Sequence, residues 1–421
     1  MKQRTKKIMR RVGASFLIAF LVFGSNALYW AIRPNRAQIN DNLNIHTYPL
    51  VSDGRHNSNT DMIYWNNSFY MIHASAPYHM GSPNTELRLL RSSTAEEGTW
   101  EFVKSFSSID EDIRDPKFAA IGSRLFIYVL RNSGFMAEPY GTAYCYSEDG
   151  NIWTDIKDIK DLDGWLFWRP KTNGSDTWYC PAYWHEHGKS VLLNTSDGIN
   201  WEIVSQIHEG DGNDETAIEF LPDDRIIATL RLEIKADNGI GSNEAGTMIA
   251  VSQFPYTDWS YEMDKIARLD GPRLFSTNSR VFAIARFQPE IDGFLTQNGG
   301  ILSRKRTSIY EVTESEIRYV SDLTSAGDTS YAGVVLNNSN IYTCYYTSST
   351  KNDYPWIIGM LAESDIIFAN FSVTDLMDAA SDPLLVRVAL PWITYIVTAV
   401  SLGGGILLSV YMEKNREIEF D

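Results

Sequence analysis

Between about residue 47 and residue 373, short apolar runs alternate with polar turns, and the pattern repeats. Met62-Ile63-Tyr64-Trp65 is followed by Phe69-Tyr70-Met71-Ile72, and Phe118-Ala119-Ala120-Ile121 by Leu125-Phe126-Ile127-Tyr128; Val281-Phe282-Ala283-Ile284 continues the series. The runs are separated by turn residues at Asn66-Asn67, Gly122-Ser123, Asp223-Asp224 and Asn337-Asn338, so they read as strands in meanders. Six segments share one grammar of polar opening, strand, turn and further strands. They open at Asp53-Gly54-Arg55-His56, Arg114-Asp115-Pro116-Lys117, Trp168-Arg169-Pro170, Asn213-Asp214-Glu215-Thr216, Gly271-Pro272-Arg273 and Gly327-Asp328-Thr329-Ser330-Tyr331. No such segment buries its own face alone, so the array must close on itself. The pattern predicts an all-β, six-bladed β-propeller over 47–373.

Two longer apolar stretches flank this region. Residues 12–32 follow a basic segment, 1–11, that holds Lys2, Arg4, Lys6, Lys7, Arg10 and Arg11, and residues 384–412 precede the charged tail 413–421. Both are long enough to span a bilayer. They predict a signal anchor and a second transmembrane helix, joined to the propeller by linkers at 33–46 and 374–383. Cleavage of the first segment near Gly24, Ser25 and Ala27 is the alternative. Basic residues stay in the cytoplasm, so a two-pass cell-membrane topology follows, with both termini cytoplasmic and the propeller extracytoplasmic. The N-x-S/T triplets at Asn66, Asn173, Asn194, Asn337 and Asn370 are compatible with that side.

Two turns sharpen the repeat. Ser147-Glu148-Asp149-Gly150-Asn151-Ile152-Trp153 and Thr195-Ser196-Asp197-Gly198-Ile199-Asn200-Trp201 share S/T-x-D-G-x-x-W. The acid and hydroxyl suit turn amides, the glycine suits an unusual dihedral, and the tryptophan suits packing between blades. Charge then removes some functions. The chain's net charge is −16, but residues 37–382 hold 26 Lys and Arg against 49 Asp and Glu, a net of −23. A region this acidic repels nucleic acid. Cys145, Cys180 and Cys344 are odd in number and match no metal spacing, so free thiols are expected, with no metal and no cofactor. His185-Glu186-His187 looks metal-like but reads as an exposed turn beside Gly188.

The paired turns resemble the Asp-box, or BNR repeat, of the sialidase superfamily. The openings quoted above resemble an exo-α-sialidase-like bacterial and archaeal group of it, over roughly 320 residues. The resemblance implies a pocket on the propeller axis with three arginines on a substrate carboxylate, a Tyr nucleophile activated by a Glu, and an Asp acid/base. Carried over residue by residue, it implies Tyr331 as nucleophile and Glu215 as its partner. Arg55, Arg231 and Arg286 would bind substrate, with Arg273 and Arg304 competing for the third place and Asp328 beside them. The acid/base has no single counterpart; Asp61, Asp115 and Glu138 are candidates. The implied activity is a glycosidase acting on a terminal sugar, acidic sugars included.

Two other functions fit the same residues. A carboxylate-only glycosidase would use Asp61, Asp115 and Glu215. A non-catalytic propeller would bind a glycan or a protein, since fold does not fix function. Arg114-Asp115 and Glu215 with Arg231 also read as plain ion pairs between strands, and Tyr331 as a core tyrosine.

Overall fold

The computed structural model describes residues 37–385 apart from 266 and 290–296, together with scattered helical residues within 7–21 and 403–410. The chain divides into two compact units, residues 36–387 and a unit formed by 1–35 with 388–421. The stretches 12–32 and 384–412, expected to span a membrane, lie largely outside the described residues. Among the described residues no helix is long and apolar enough to cross a membrane. Within the terminal unit, Gly405 lies against Ile18, whose Cγ2 would be 2.9 Å from a Cβ at that glycine.

The larger unit is a ring of antiparallel meanders. Strand β1 spans His46–Val51. The first meander is β2 (His56–Trp65), β3 (Ser68–Ala76), β4 (Glu86–Ser92) and β5 (Glu101–Phe106). The second is β6 (Asp112–Ile121), β7 (Arg124–Asn132), β8 (Gly141–Ser147) and β9 (Lys157–Asp158), and the third is β10 (Trp165–Phe167), β11 (Trp178–Trp184), β12 (Lys189–Thr195) and β13 (Glu202–Glu209). The fourth is β14 (Asn213–Phe220), β15 (Ile226–Leu232), β16 (Gly246–Ser252) and β17 (Trp259–Asp264), and the fifth is β18 (Asp270–Thr277), β19 (Arg280–Phe287), β20 (Arg306–Val312) and β21 (Ile317–Asp322). The last contains β22 (Thr329–Asn337), β23 (Asn340–Ser348), the short helix α1 (Trp356–Gly359) and β24 (Ser364–Ser372), followed by helix α2 (Val373–Ser381).

The expectation of six separate blades needs correction. Four sheets are separate and four-stranded, β6–β9, β10–β13, β14–β17 and β18–β21. The first and last meanders instead share one eight-stranded sheet. The seam is a single parallel bridge, His56 with Ser364, backed by Ser364 N to Arg55 O at 3.1 Å and Ser364 Oγ to Asn57 O at 2.6 Å. On that same edge of β24, opposite β23, β1 pairs antiparallel, so the start of the domain supplies a strand to its end.

Burial along the strands does not follow simple alternation, because most sheets are covered on both faces. Leu125 through Leu130 of β7 are all buried. Leu125, Ile127 and Val129 pack toward the first meander, while Phe126 and Tyr128 pack toward the third. Alternate side chains thus serve alternate neighbours. The two S/T-x-D-G-x-x-W turns join the last two strands of their sheets. In the first, Ser147 Oγ accepts Gly150 N at 2.8 Å and Asp149 Oδ1 accepts the amides of Asn151 and Ile152 at 2.8 Å. The second repeats this with Thr195, Gly198, Asp197, Ile199 and Asn200. The segments read as linkers are in part docked structure. Asn40 Nδ2 donates to the carbonyls of Val320, Ala379 and Asp382, and α2 buries Leu376 and Ala379. Cys145, Cys180 and Cys344 are buried and free.

Candidate active site

The site is built by an irregularity that recurs at one level of the ring. In β2, β6, β14, β18 and β22 the pairing register slips after the first few residues, at Ser58/Asp61, Arg114/Lys117, Asn213/Thr216, Asp270/Arg273 and Ser330/Gly333. Each slip leaves residues unpaired and re-aims them, as bulges do beside active sites. Four of the residues so placed have left-handed backbone: Asn59 (φ 52°), Asp115 (φ 51°), Gly271 (φ 64°) and Tyr331 (φ 48°). For a non-glycine residue this costs about 1–2 kcal/mol, so Asp115 and Tyr331 are held there by their surroundings.

Polar cross-links tie these strands around the axis. Thr60 Oγ donates to Tyr331 O at 2.7 Å, Trp168 Nε1 to Pro272 O at 2.9 Å, and Gly271 N to Glu215 Oε2 at 2.7 Å. At the centre, the Tyr331 hydroxyl donates to Glu215 Oε1. The other Glu215 oxygen lies 2.9 Å from Arg231 Nη1. Burial pushes the Glu215 carboxyl up to about 7 against the pull of Arg231. Burial and then the Glu215 charge hold the Tyr331 phenol well above its ordinary range. Arg231 and then Arg286 counter this, the Arg286 guanidinium carbon lying 5.2 Å from the Tyr331 ring centroid. A neutral phenol donating to a carboxyl near neutrality is an arrangement that can move one proton.

Ion pairs surround the pair. Arg231 Nε donates to Asp214 Oδ1 at 2.7 Å, and Arg268 grips Asp270 through Nε at 2.6 Å and Nη2 at 2.8 Å. Burial alone would raise Asp270, but Arg268 and Arg231 outweigh it and hold this carboxyl well below the usual range. Arg286 Nη2 donates to the Tyr346 hydroxyl at 2.9 Å and to Asp328 Oδ1 at 3.3 Å. Trp356 of α1 closes that side. Its Nε1 donates to Asp328 Oδ1 at 2.8 Å, and Arg286 and Lys305 each lie 4.7 Å from its ring centroid. Asp115 accepts the Asn59 amide, and the Lys117 ammonium donates to the Asp115 carbonyl at 2.9 Å. Burial depresses Lys117 to about 8 over the Trp168 ring.

Two clusters among the described residues have metal-ligand chemistry, His56 with His79 and Asp328, and His187 with Asp214 and Glu233. In the first, both histidines address one oxygen, Asp328 Oδ2, at 3.2 and 2.7 Å. In the second, Arg231 already lies against both carboxylates. His187 therefore works with Asp214 and Glu233 rather than with His185.

Among the nine residues expected at the site, Tyr331, Glu215, Arg231, Arg286 and Asp328 come together through the contacts above, and Asp115 stands at the β6 bulge against Asn59 and Lys117. Three do not. Arg55 turns to the flank of the first meander, donating to Ser75 Oγ at 2.8 Å and to the carbonyls of Ser75 and Asn84. Asp61 lies past the bulge, where it pairs with Arg169 at 2.5 Å and accepts the amides of Met62 and Phe118. That removes one carboxylate from the carboxylate-only site; the bulge position of β2 carries Asn59. Arg273 also lies past its bulge, and its Nη2 approaches Val334 O at 3.4 Å. Of the competing candidates, Arg304 pairs with Asp353 at 2.9 Å, and Glu138 is exposed in the β7–β8 connection. The sequence paired Arg114 with Asp115, whereas its guanidinium lies on Asp112; Arg268, Asp270, Glu233 and Trp356 were not expected at the site. For all of these but Trp356 a signal existed: Asp112-x-Arg114, Arg231-x-Glu233 and Arg268-x-Asp270 set opposite charges two apart in or at the end of a strand. Trp356 carried none, because it sits in an irregular connection.

No family model matches this chain, and no curated protein matches it. Solved structures do. The phage phi92 endosialidase aligns at 10% identity with a TM-score of 0.58, covering 79% of this chain and 69% of that one. Trypanosoma rangeli sialidase in complex with sialic acid aligns at 11% identity with a TM-score of 0.54, covering 82% of this chain. The NanB sialidase from Streptococcus pneumoniae aligns at 10% identity with a TM-score of 0.53, covering 81% of this chain and 71% of that one. This chain spans 59% of the length of the trypanosomal enzyme. At such identities the likeness is one of fold: the chain has a β-propeller fold like that of these sialidases.

Proposed function

We propose that this protein is a glycoside hydrolase that works through Tyr331 and Glu215. The observation that carries the reading is the hydrogen bond from the Tyr331 hydroxyl to Glu215, on the axis of a sialidase-like propeller. Tyr331 Oη attacks the anomeric carbon, and its proton passes to Glu215 as the bond to the leaving oxygen breaks. Asp115, held at its bulge by Asn59, gives that oxygen a proton. Water then gives a proton to Asp115 and attacks the same carbon. The bond to Tyr331 breaks and Glu215 returns the proton. Arg231 and Arg286 stabilise the phenolate that forms on the way. Two displacements retain the anomeric configuration.

The domain is placed outside the cell in this reading, tethered by its two apolar ends. The basic segment 1–11 and the approach of Gly405 to Ile18 support the tether. The eight-stranded sheet reads as two blades joined at a seam, which returns the count to six.

The test is turnover of fluorogenic glycosides by the full-length protein, with Tyr331→Phe and Glu215→Gln beside it. Hydrolysis by the parent that falls by about 100-fold or more in both variants is expected. Glycan binding without turnover in all three proteins would sink the enzyme and leave a binding propeller.

A further inference from the structure

The arginines of this site are already neutralised by the chain itself, and this bears on the substrate. Arg231 offers its Nε edge to Asp214 at 2.7 Å and its Nη1 to Glu215 at 2.9 Å, with Glu233 at 3.6 Å. Arg268 lies bidentate on Asp270 and 3.6 Å from Glu233. Arg114 lies bidentate on Asp112, at 3.0 and 2.8 Å. Arg286 gives Nε to Thr329 O at 2.8 Å and Nη2 to Tyr346 and Asp328, while Asp270 stands 3.7 Å from its Nη1. All four side chains are at least 89% buried. The Nε–Nη2 edge, one of the paired N–H edges on which a guanidinium takes a carboxylate in two parallel bonds, is already committed in three of them.

We propose that the axial site takes a terminal sugar that carries no carboxylate, sulfate or phosphate. The inference rests on the glycosidase reading and narrows its substrate. An anionic sugar reaching these guanidinium groups meets Asp214, Asp270, Asp112 and Asp328 at the same place. Like charges set together in a buried site cost several kcal/mol. Hydroxyl groups of a neutral sugar meet no such penalty, because a carboxylate accepts from them and a remaining N–H donates to them. The pairing is written into the strands. Asp112 and Arg114 stand two residues apart on one side of β6, Arg231 and Glu233 two apart at the end of β15, and Arg268 and Asp270 two apart at the start of β18. The surrounding field agrees, since the net charge of −23 over residues 37–382 repels anions before they arrive.

The experiment uses the full-length protein and its Tyr331→Phe variant on an array of glycans with matched termini. One set ends in neutral hexoses and N-acetylhexosamines, the other in sialic or hexuronic acid. Cleavage by the parent and retention by the variant are expected on the neutral set, with a preference of about 100-fold, which corresponds to about 2.7 kcal/mol. Cleavage or retention of acidic termini at an equal or higher level overturns the inference and leaves the glycosidase reading standing. Silence of both proteins toward both sets overturns the glycosidase reading, and this inference with it.

Discussion

Tyr331 combines a backbone dihedral that L-residues avoid with a buried hydroxyl whose hydrogen bond goes to a buried carboxyl. Both features set its chemistry. The proposed base is active only when ionised, and Glu215 is pushed up to about 7. Activity is therefore expected to rise with pH through about 7, with kcat/KM falling about tenfold per unit on the acid side. A pH–rate profile checks this, and a flat profile between pH 5 and 8 contradicts it. His73 supplies a separate prediction on stability. Burial depresses its imidazole to about 4 in the fold, against about 6.5 in an unfolded chain. A depressed value means that the unfolded state binds the proton more tightly. Stability is then full above about pH 6.5 and is lost as pH falls toward 4, by about 3 kcal/mol in all. Denaturant unfolding at pH 7 and pH 4.5 should show the loss. His73→Met should show a smaller difference between the two conditions, and an undiminished one would clear His73 of the effect.

Elements differ in how far the sequence reveals them. The turn motif could be read down to its atoms, because Ser147, Asp149 and Gly150 act within four residues of one another. Gly150 has φ 77°, and a Cβ there would lie 2.1 Å from Tyr70 Oη. Gly150→Ala should thus destabilise the protein by about 2–4 kcal/mol, from the left-handed backbone and the overpacking together. Chemical denaturation measures it, and a change within 0.5 kcal/mol or so, the ordinary range for a surface site, contradicts the packing described. The bulges were not legible. A one-residue slip in Asp270–Thr277 or Thr329–Asn337 leaves no mark in an apolar pattern, yet it decides which side chain faces the axis. That is why Asp61 and Arg273, on plausible strands, fall past the site, while Asn59 and Gly271 stand level with Tyr331.

At the largest scale, the unit 36–387 is a ring whose closure depends on residues far apart in the chain. β1 completes the sheet of β22–β24, and Tyr48 fixes it there. Its ring stacks on Phe368 at 4.8 Å, its hydroxyl donates to Ala95 O at 2.9 Å, and Trp100 Nε1 donates to it at 2.8 Å. Tyr48→Ala should cost about 3–5 kcal/mol, the range for a buried aromatic. A loss under about 1 kcal/mol, measured by equilibrium unfolding, would mean that the closing strand contributes little. The repeat period announced the ring, since its openings recur down the sequence. The seam was hidden, because it depends on one bridge between His56 and Ser364. The site was half legible for a related reason. Residues on the inner strands, such as Glu215 and Tyr331, repeat with the period, but Trp356 comes from a connection that no period governs. The central claim is that an axial Tyr–Glu pair cleaves glycosides, and trapping the covalent intermediate tests it most directly. The full-length protein is treated with 2-deoxy-2-fluoroglycosyl fluorides of neutral sugars and digested, and the labelled peptide is sequenced by mass spectrometry. The account predicts one glycosyl adduct, on Tyr331, absent from Tyr331→Phe. An adduct on Asp115 or Glu215, or turnover that survives in Tyr331→Phe, would contradict it.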